Sequence, residues 1–181
     1  NDVARLNFTS GSTGRPRACA RSYRTFGLAY RPDRWSPGLT RFVGQGERFL
    51  IYGSLARPVM LTFAGRTLLD DVRDALAPAI ARHRATRVAM TPPSLQSLLD
   101  RLGAEPLDVS CLRGVMVTGS PAGPGLLAAA VVLLGPVVWQ GYGQAESGMI
   151  SLLTPDDILR HGYAALTSVG RVLPDVEVRV D

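Results

Sequence analysis

Short apolar runs alternate with longer segments of helical spacing along most of this 181-residue chain. Residues 4–9 alternate weakly and end in hydroxyls, which predicts a short strand. Residues 18–24 predict a second strand and 25–30 a helix, while 31–46, with two Pro and three Gly, reads as connection. From there the rhythm becomes regular. Strands are predicted at 48–52, 66–69, 87–90, 114–118, 137–140, 148–152 and 176–180, and helices at 56–64, 72–84, 93–102 and 124–134. Val72, Ala75, Leu76, Ala79 and Ile80 recur at helical spacing with Asp70 or Asp71 as cap, and Pro78 inside that span should kink or shorten it. Val115-Met116-Val117 and Val137-Val138-Trp139 are apolar on both faces, as strands buried in a parallel sheet are. The expectation is an α/β fold, a largely parallel sheet with flanking helices, with residues 1–181 as one unit.

Composition narrows the classes of partner. Hydrophobic residues make up 46% and charged residues 19%, enough to build a core. The net charge of +5 comes from scattered arginines without a single lysine, and aromatics are only 7%. No basic block or aromatic-basic stripe exists, so nucleic acid is not an expected partner. The two cysteines, Cys19 and Cys111, are far apart and form no CxxC, which argues against a disulfide scaffold or a zinc site and for a reducing, cytoplasmic setting. No charged-then-apolar leader is visible. The longest uncharged apolar run, 126–134, is too short to cross a bilayer. A helix there has no polar face, so it is buried between layers, or it offers a packing face to another part of the protein or to a second protomer.

Three loops carry candidate chemistry, and in an open α/β sheet ligands bind beyond the carboxyl ends of the strands. Thr9-Ser10-Gly11-Ser12-Thr13-Gly14-Arg15-Pro16-Arg17 packs hydroxyls, glycines and cations into nine residues, the makings of an anion cradle for a nucleotide phosphate. It is not a Walker loop, which needs a lysine, nor a dinucleotide fingerprint, which needs three glycines at fixed spacing. A Ser/Thr/Gly surface linker stays open as the alternative. In Gln140-Gly141-Tyr142-Gly143-Gln144-Ala145-Glu146, two glycines flank a ring that can stack on a flat ligand, and Glu146 can hold magnesium beside phosphate oxygens. A turn with a packed Tyr and a solvated Glu is the plainer reading. Thr118-Gly119-Ser120-Pro121 is by itself a strand-to-helix turn of small residues. A Ser-His hydrolase would need Gly-x-Ser-x-Gly, and Ser120 stands one place too early in Gly119-Ser120-Pro121-Ala122-Gly123. His83 and His161 read as surface residues.

Taken together, these segments resemble the adenylate-forming superfamily of acyl-CoA synthetases, peptide-synthetase adenylation domains and luciferases. Thr9 to Arg17 resembles its phosphate loop, Thr118-Gly119-Ser120-Pro121 its adenine-contacting turn, and Gly141-Tyr142-Gly143-Gln144-Ala145-Glu146 its aromatic-Gly-x-Thr-Glu motif. Ser168-Val169-Gly170-Arg171-Val172-Leu173-Pro174 is similar to its Gly-Arg-Pro-x-Pro segment, and Thr91-Pro92-Pro93-Ser94-Leu95 to the turn before its acyl pocket. The resemblance implies the large-domain fold of those enzymes. It also implies ATP, Mg2+ and coenzyme A (or a carrier-protein thiol) as co-substrates for a small-molecule carboxylic acid.

By the same resemblance Thr9, Arg17 and Glu146 are catalytic. Ser10, Gly11, Ser12, Thr13 and Gly14 grip the outer phosphates, and Gly119, Ser120 and Pro121 line the adenine. Tyr142 stacks on the base, with Gly141, Gly143, Gln144 and Ala145 beside it, and Glu146 ligates the metal. Arg17 stands where lysine is usual, and Ala145 where threonine is. Tyr52-Gly53-Ser54-Leu55-Ala56-Arg57-Pro58 departs from a motif that often bears histidine. The ribose-binding Thr-Gly-Asp, the hinge and the C-terminal catalytic lysine are not found, so the chain resembles the middle of a synthetase's large domain and is expected to be inactive alone. A non-catalytic nucleotide- or acyl-adenylate-binding module is the alternative.

Overall fold

The computed structural model describes residues 2–9, 17–23, 48–52, 59–62, 65–68, 76–174 and 176–180. Its main sheet is built by β3 (Arg48–Tyr52), β4 (Val59–Thr62), β5 (Gly65–Leu68), β6 (Arg87–Met90), β7 (Gly114–Val117), β8 (Val138–Gln144), β9 (Gly148–Leu153) and β10 (Arg171–Val172). The spatial order is β10-β9-β8-β7-β6-β3-β4-β5. The four central strands, β3, β6, β7 and β8, run parallel, whereas both flanks are antiparallel. The α/β class is therefore as expected, with the parallel part confined to the centre. A separate antiparallel hairpin joins β1 (Val3–Thr9) to β2 (Arg17–Ser22), and its last pair is Thr9 opposite Arg17.

The parallel centre is where the apolar strands go. Every residue of β7 is buried. Val88, Met90, Val115, Val117 and Val138 share one face of the sheet. They pack against Ile80 of α1 (Leu76–His83), Leu95 and Leu98 of α2 (Pro92–Ala104), and Leu127 and Ala130 of α3 (Pro124–Leu134). Met116, Trp139 and Leu152 form a smaller cluster on the other face with Ala89 and Leu173. Burying one leucine fully, as at Leu95 or Leu127, contributes about 1.5–3 kcal/mol. Among the described residues no helix is long and apolar enough to cross a membrane.

Local chemistry sets the helix ends. Thr91 is extended (φ −85°, ψ 159°) and hands over to Pro92 and Pro93, whose missing N–H groups cost nothing in a first turn. Proline again opens α3, and Gly135 at φ +80° closes it. The uncharged α3 buries Leu127 and Ala130, but Val132 is 87% exposed, so the helix is only partly covered by its own sheet. After β9 comes α4 (Pro155–His161), started by a reciprocal cap: the Asp157 N–H donates to Thr154 Oγ1, and the Thr154 N–H and hydroxyl donate to Asp157 Oδ2. A 3-10 turn, Gly162–Thr167, follows.

Several expectations change. Residues 59–62, expected in a helix over 56–64, are strand β4, because a four-residue apolar run has no readable period and β3 and β5 supply partners on both sides. Residues 176–180 alternate like a strand yet form none; Val178 and Val180 are exposed, and it is Arg171 and Val172 that pair with β9. The helix over 72–84 is seen as Leu76–His83 and runs through Pro78. The segments 25–30, 31–46, 53–58 and 70–75, with their expected helix, connection, departed motif and Asp cap, lie outside the described residues. Cys19 and Cys111 are both free thiols.

Candidate functional site

The three parallel strands β6, β7 and β8 bring one edge level: Met90 pairs with Val117, and Val117 with Gln140. The chain leaves that edge through three of the segments singled out in the sequence. The turns after β6 and β7 are tied together, since the Thr118 N–H donates to the Met90 carbonyl at 3.0 Å. Thr91 Oγ1 and Ser94 Oγ lie 3.1 Å apart inside the first turn. In the second, Gly119 adopts φ +97°, a conformation that favours glycine, beside the Thr91 methyl group. Ser120 and Pro121 are exposed beyond it.

The third segment differs from its expected form. Rather than a loop after a strand ending at 140, β8 runs on to Gln144 and returns as β9, with Ala145, Glu146 and Ser147 as the turn. Gly148 at φ +83° closes that three-residue connection. The glycines serve this hairpin first. A Cβ on Gly143 would fall on the Gly148 carbonyl, a backbone atom that cannot give way. A Cβ on Gly141 would lie 2.9 Å from Met149 Sδ and 3.2 Å from Met116 Sδ, so its missing side chain makes room for two thioethers.

Burial switches along the strand: residues 138–141 are buried and 142–144 exposed. Tyr142 thus offers its ring to solvent, with Gln144 Nε2 donating to its hydroxyl at 3.5 Å. Glu146 is exposed on the turn, and its carboxylate has no partner among the described residues. Just before the switch stands Gln140, 8% exposed, with an amide oxygen that has no hydrogen-bond partner among the described residues. Composition gave no hint of that acceptor, and only its position one residue before the glycine pair marks it. A buried acceptor left unpaired is uncommon, and water or a bound ligand is what satisfies one.

The β1–β2 hairpin reaches this edge from far away in sequence. Arg21 donates Nε and Nη2 to the Ala145 carbonyl at 3.2 and 3.0 Å, and Cys19 Sγ lies 3.5 Å from the same oxygen. Neither residue was assigned to the site from the sequence, although the strand alternation of Arg17, Cys19 and Arg21 puts the three on one face. Thr9 and Arg17 close the hairpin; Arg17 is exposed. Ser10, Gly11, Ser12, Thr13 and Gly14 lie outside the described residues.

Segment 168–174 stands behind the site as a brace. Ser151 Oγ donates to the Val169 carbonyl at 2.9 Å, the Leu173 N–H donates to the Ile150 carbonyl at 2.9 Å, and Gly170 at φ +84° lies where a Cβ would fall on the Leu152 carbonyl. Arg171 Nε donates to Asp157 Oδ1 at 3.1 Å. Burial pushes the Asp157 carboxyl up, but the Thr154 hydroxyl and N–H and the Arg171 guanidinium outweigh it and hold it below the usual carboxylate value. No group of three or more His, Cys, Asp or Glu side chains is placed to hold a metal among the described residues. A lone exposed carboxylate such as Glu146 suits magnesium, which keeps waters and takes much of its coordination from phosphate.

Comparison with known proteins identifies the family. The family model for AMP-binding enzymes matches residues 1–181. The human mitochondrial medium-chain acyl-CoA ligase is 27% identical over 195 residues, covering 99% of this chain and 31% of the relative. Rice (Oryza sativa subsp. japonica) 4-coumarate–CoA ligase 2 is 28% identical over 193 residues, covering 99% and 34%. Among solved structures, the amide bond synthetase McbA of Marinactinospora thermotolerans superposes with a TM-score of 0.72 at 36% identity, covering 97% of this chain and 36% of that one. The chain spans about a third of the length of these relatives.

Proposed function

The chain belongs to the AMP-binding enzymes, and from that membership we propose that it is the nucleotide-binding core of a longer ligase that activates a carboxylic acid with ATP. In the first half-reaction a carboxylate oxygen attacks the α-phosphorus of ATP, the bond to the β-phosphate oxygen breaks, and pyrophosphate leaves an acyl-adenylate. In the second, a thiol, that of coenzyme A, attacks the acyl carbon and AMP departs. The names of the acyl-CoA ligases among the relatives support the thiol acceptor.

The observation that carries the nucleotide part is the orphaned oxygen of Gln140, where the parallel pairing of β7 with β8 ends. The exocyclic amine of adenine is a donor that would pair with it, and hypoxanthine has a carbonyl in its place. Gly119, Ser120 and Pro121 follow the neighbouring strand, and the exposed ring of Tyr142, two residues on from Gln140, offers a stacking face. The first half-reaction brings two anions together, so this chain's own task is charge management. Arg17 supplies positive charge at the base of the phosphate segment, and Glu146 is the carboxylate that would hold magnesium. When bound with the nucleotide, that ion offsets the triphosphate charge.

Carboxylate-dependent ATP–pyrophosphate exchange by the full-length protein tests the reading, with a panel of acids and with ITP in place of ATP. Exchange should be supported by ATP and poorly by ITP, and Glu146→Gln should lower it about 100-fold, the scale of losing one charged contact in a transition state. Exchange indifferent to Glu146→Gln would remove the magnesium assignment. No exchange with any acid, alongside retained ATP binding, would favour a nucleotide-binding module, the reading to which Ala145, lacking the family hydroxyl, lends support.

A further inference from the structure

The proposed reaction needs two groups from distant parts of the chain at a fixed spacing: the cation of Arg17, in the last pair of the β1–β2 hairpin, and the carboxylate of Glu146. We propose that Arg21 is the positioning residue that sets this spacing, by clamping the β1–β2 hairpin to the turn that bears Glu146. The inference rests on the adenylation reading for its catalytic consequence, but the clamp itself is a matter of contacts.

Four features make it a built contact. Two donors of one guanidinium, Nε and Nη2, converge on a single acceptor, the Ala145 carbonyl, at 3.2 and 3.0 Å. Their planar fork fixes direction as well as distance, which a lysine ammonium cannot do. The group is half-buried, so water competes poorly for it. Gly148, the residue that closes the turn, carries no side chain where a Cβ would stand 3.2 Å from Nη2, so the glycine that shapes the hairpin also admits the arginine. Cys19 Sγ approaches the same oxygen from the same face of β2.

The acceptor is the backbone of the residue immediately before Glu146, so any movement of Arg21 relative to that carbonyl is a movement relative to the carboxylate. In the other direction, Arg21 is four strand residues from Arg17, about 13 Å of paired backbone. A strand held by cross-strand pairs from Thr9–Arg17 through to Leu6–Ala20 transmits position along that length. The clamp joins residues 124 positions apart, and nothing local could substitute for it. Ala145 sharpens the need. Without a threonine hydroxyl of its own, the turn has one fewer bond to hold it against a nucleotide.

The test is pyrophosphate exchange by the full-length protein across a magnesium titration. Arg21→Ala should lower kcat about 10- to 100-fold, the range for a lost charge-assisted hydrogen bond. It should also raise the magnesium concentration for half-maximal rate while leaving KM for the acid unchanged. Arg21→Lys should recover part of the rate and serves if the alanine variant does not fold. Wild-type rate and magnesium dependence in a folded Arg21→Ala protein would overturn the inference, while exchange by the wild type would leave the adenylation reading standing. A lowered thermal midpoint with unchanged magnesium dependence would reduce Arg21 to a structural residue and overturn it equally. If the wild type shows no exchange, the adenylation reading falls and amide hydrogen exchange decides the clamp. Either variant should then lose protection at 3–9 and at 145–149 together, and unchanged protection at 145–149 would refute it.

Discussion

The two halves of β8 are built by different rules. Its first four residues are buried, and Val138 and Trp139 enter core clusters on opposite faces of the sheet. Its last three residues are exposed and pair only with β9. The first half is held by apolar area, which many atoms share. The second is held by backbone geometry at two glycines and by one guanidinium from another hairpin. Damage to the first half should therefore appear as lost stability, and damage to the second as lost alignment.

The largest effect expected of a single change falls on the core. Leu127→Ala, at a site with no exposure, should lower stability by about 2–5 kcal/mol in urea denaturation, without altering KM for ATP in the fraction that remains folded. Gly143→Ala should cost less, about 1–3 kcal/mol, because the hairpin can open locally to relieve the clash with the Gly148 carbonyl. Its mark should be a fall in exchange rate out of proportion to the shift in urea midpoint. Equal midpoint shifts in the two variants, with equal kinetics, would erase the distinction drawn along β8.

The smallest effect belongs to the cap of α4. Thr154→Ala should lower stability by about 1 kcal/mol at pH 7. Asp157 has a depressed native pKa, so what its bonds contribute is complete above the ordinary carboxylate value of 3.8 and is lost as the pH falls through the lower native value. The gap between wild type and variant should therefore narrow in acid without closing, because the Asp157 N–H still donates to Thr154 Oγ1 when the carboxyl is protonated, and urea midpoints from pH 7 downward would show it. A gap that widens in acid would contradict the assignment.

Residues 87–144 were the most legible part of the chain. There, proline and glycine punctuate strands and helices of ordinary length, and the expected bounds of β6 and α3 coincide with the observed ones. Four residues of β4 carried too little pattern, and α4, with only Pro155 and Ile158 buried, had no apolar period to read. The alternation at 176–180 was a false signal, because pairing needs a neighbour that the pattern does not record. At the site, Glu146 is exposed, but Tyr142 is exposed too rather than packed as the plainer reading had it, and the glycines beside them close a hairpin. Gln140 was read as part of its segment but given no role, because an unpaired acceptor is a property of three dimensions. So did Arg21, whose partner is a main-chain oxygen that no side chain at position 145 advertises.

The long span of the Arg21 contact also bears on the order in which the molecule assembles. Strands β6, β7 and β8 and the helices between them join neighbours a few tens of residues apart, closures with a modest entropic penalty that begin to bury leucines at once. The β1–β2 hairpin can pair with itself early, but it cannot dock until the turn at Ala145 exists. In a chain made from its N-terminus, the hairpin therefore waits for more than a hundred residues to follow it before its arginine has a partner.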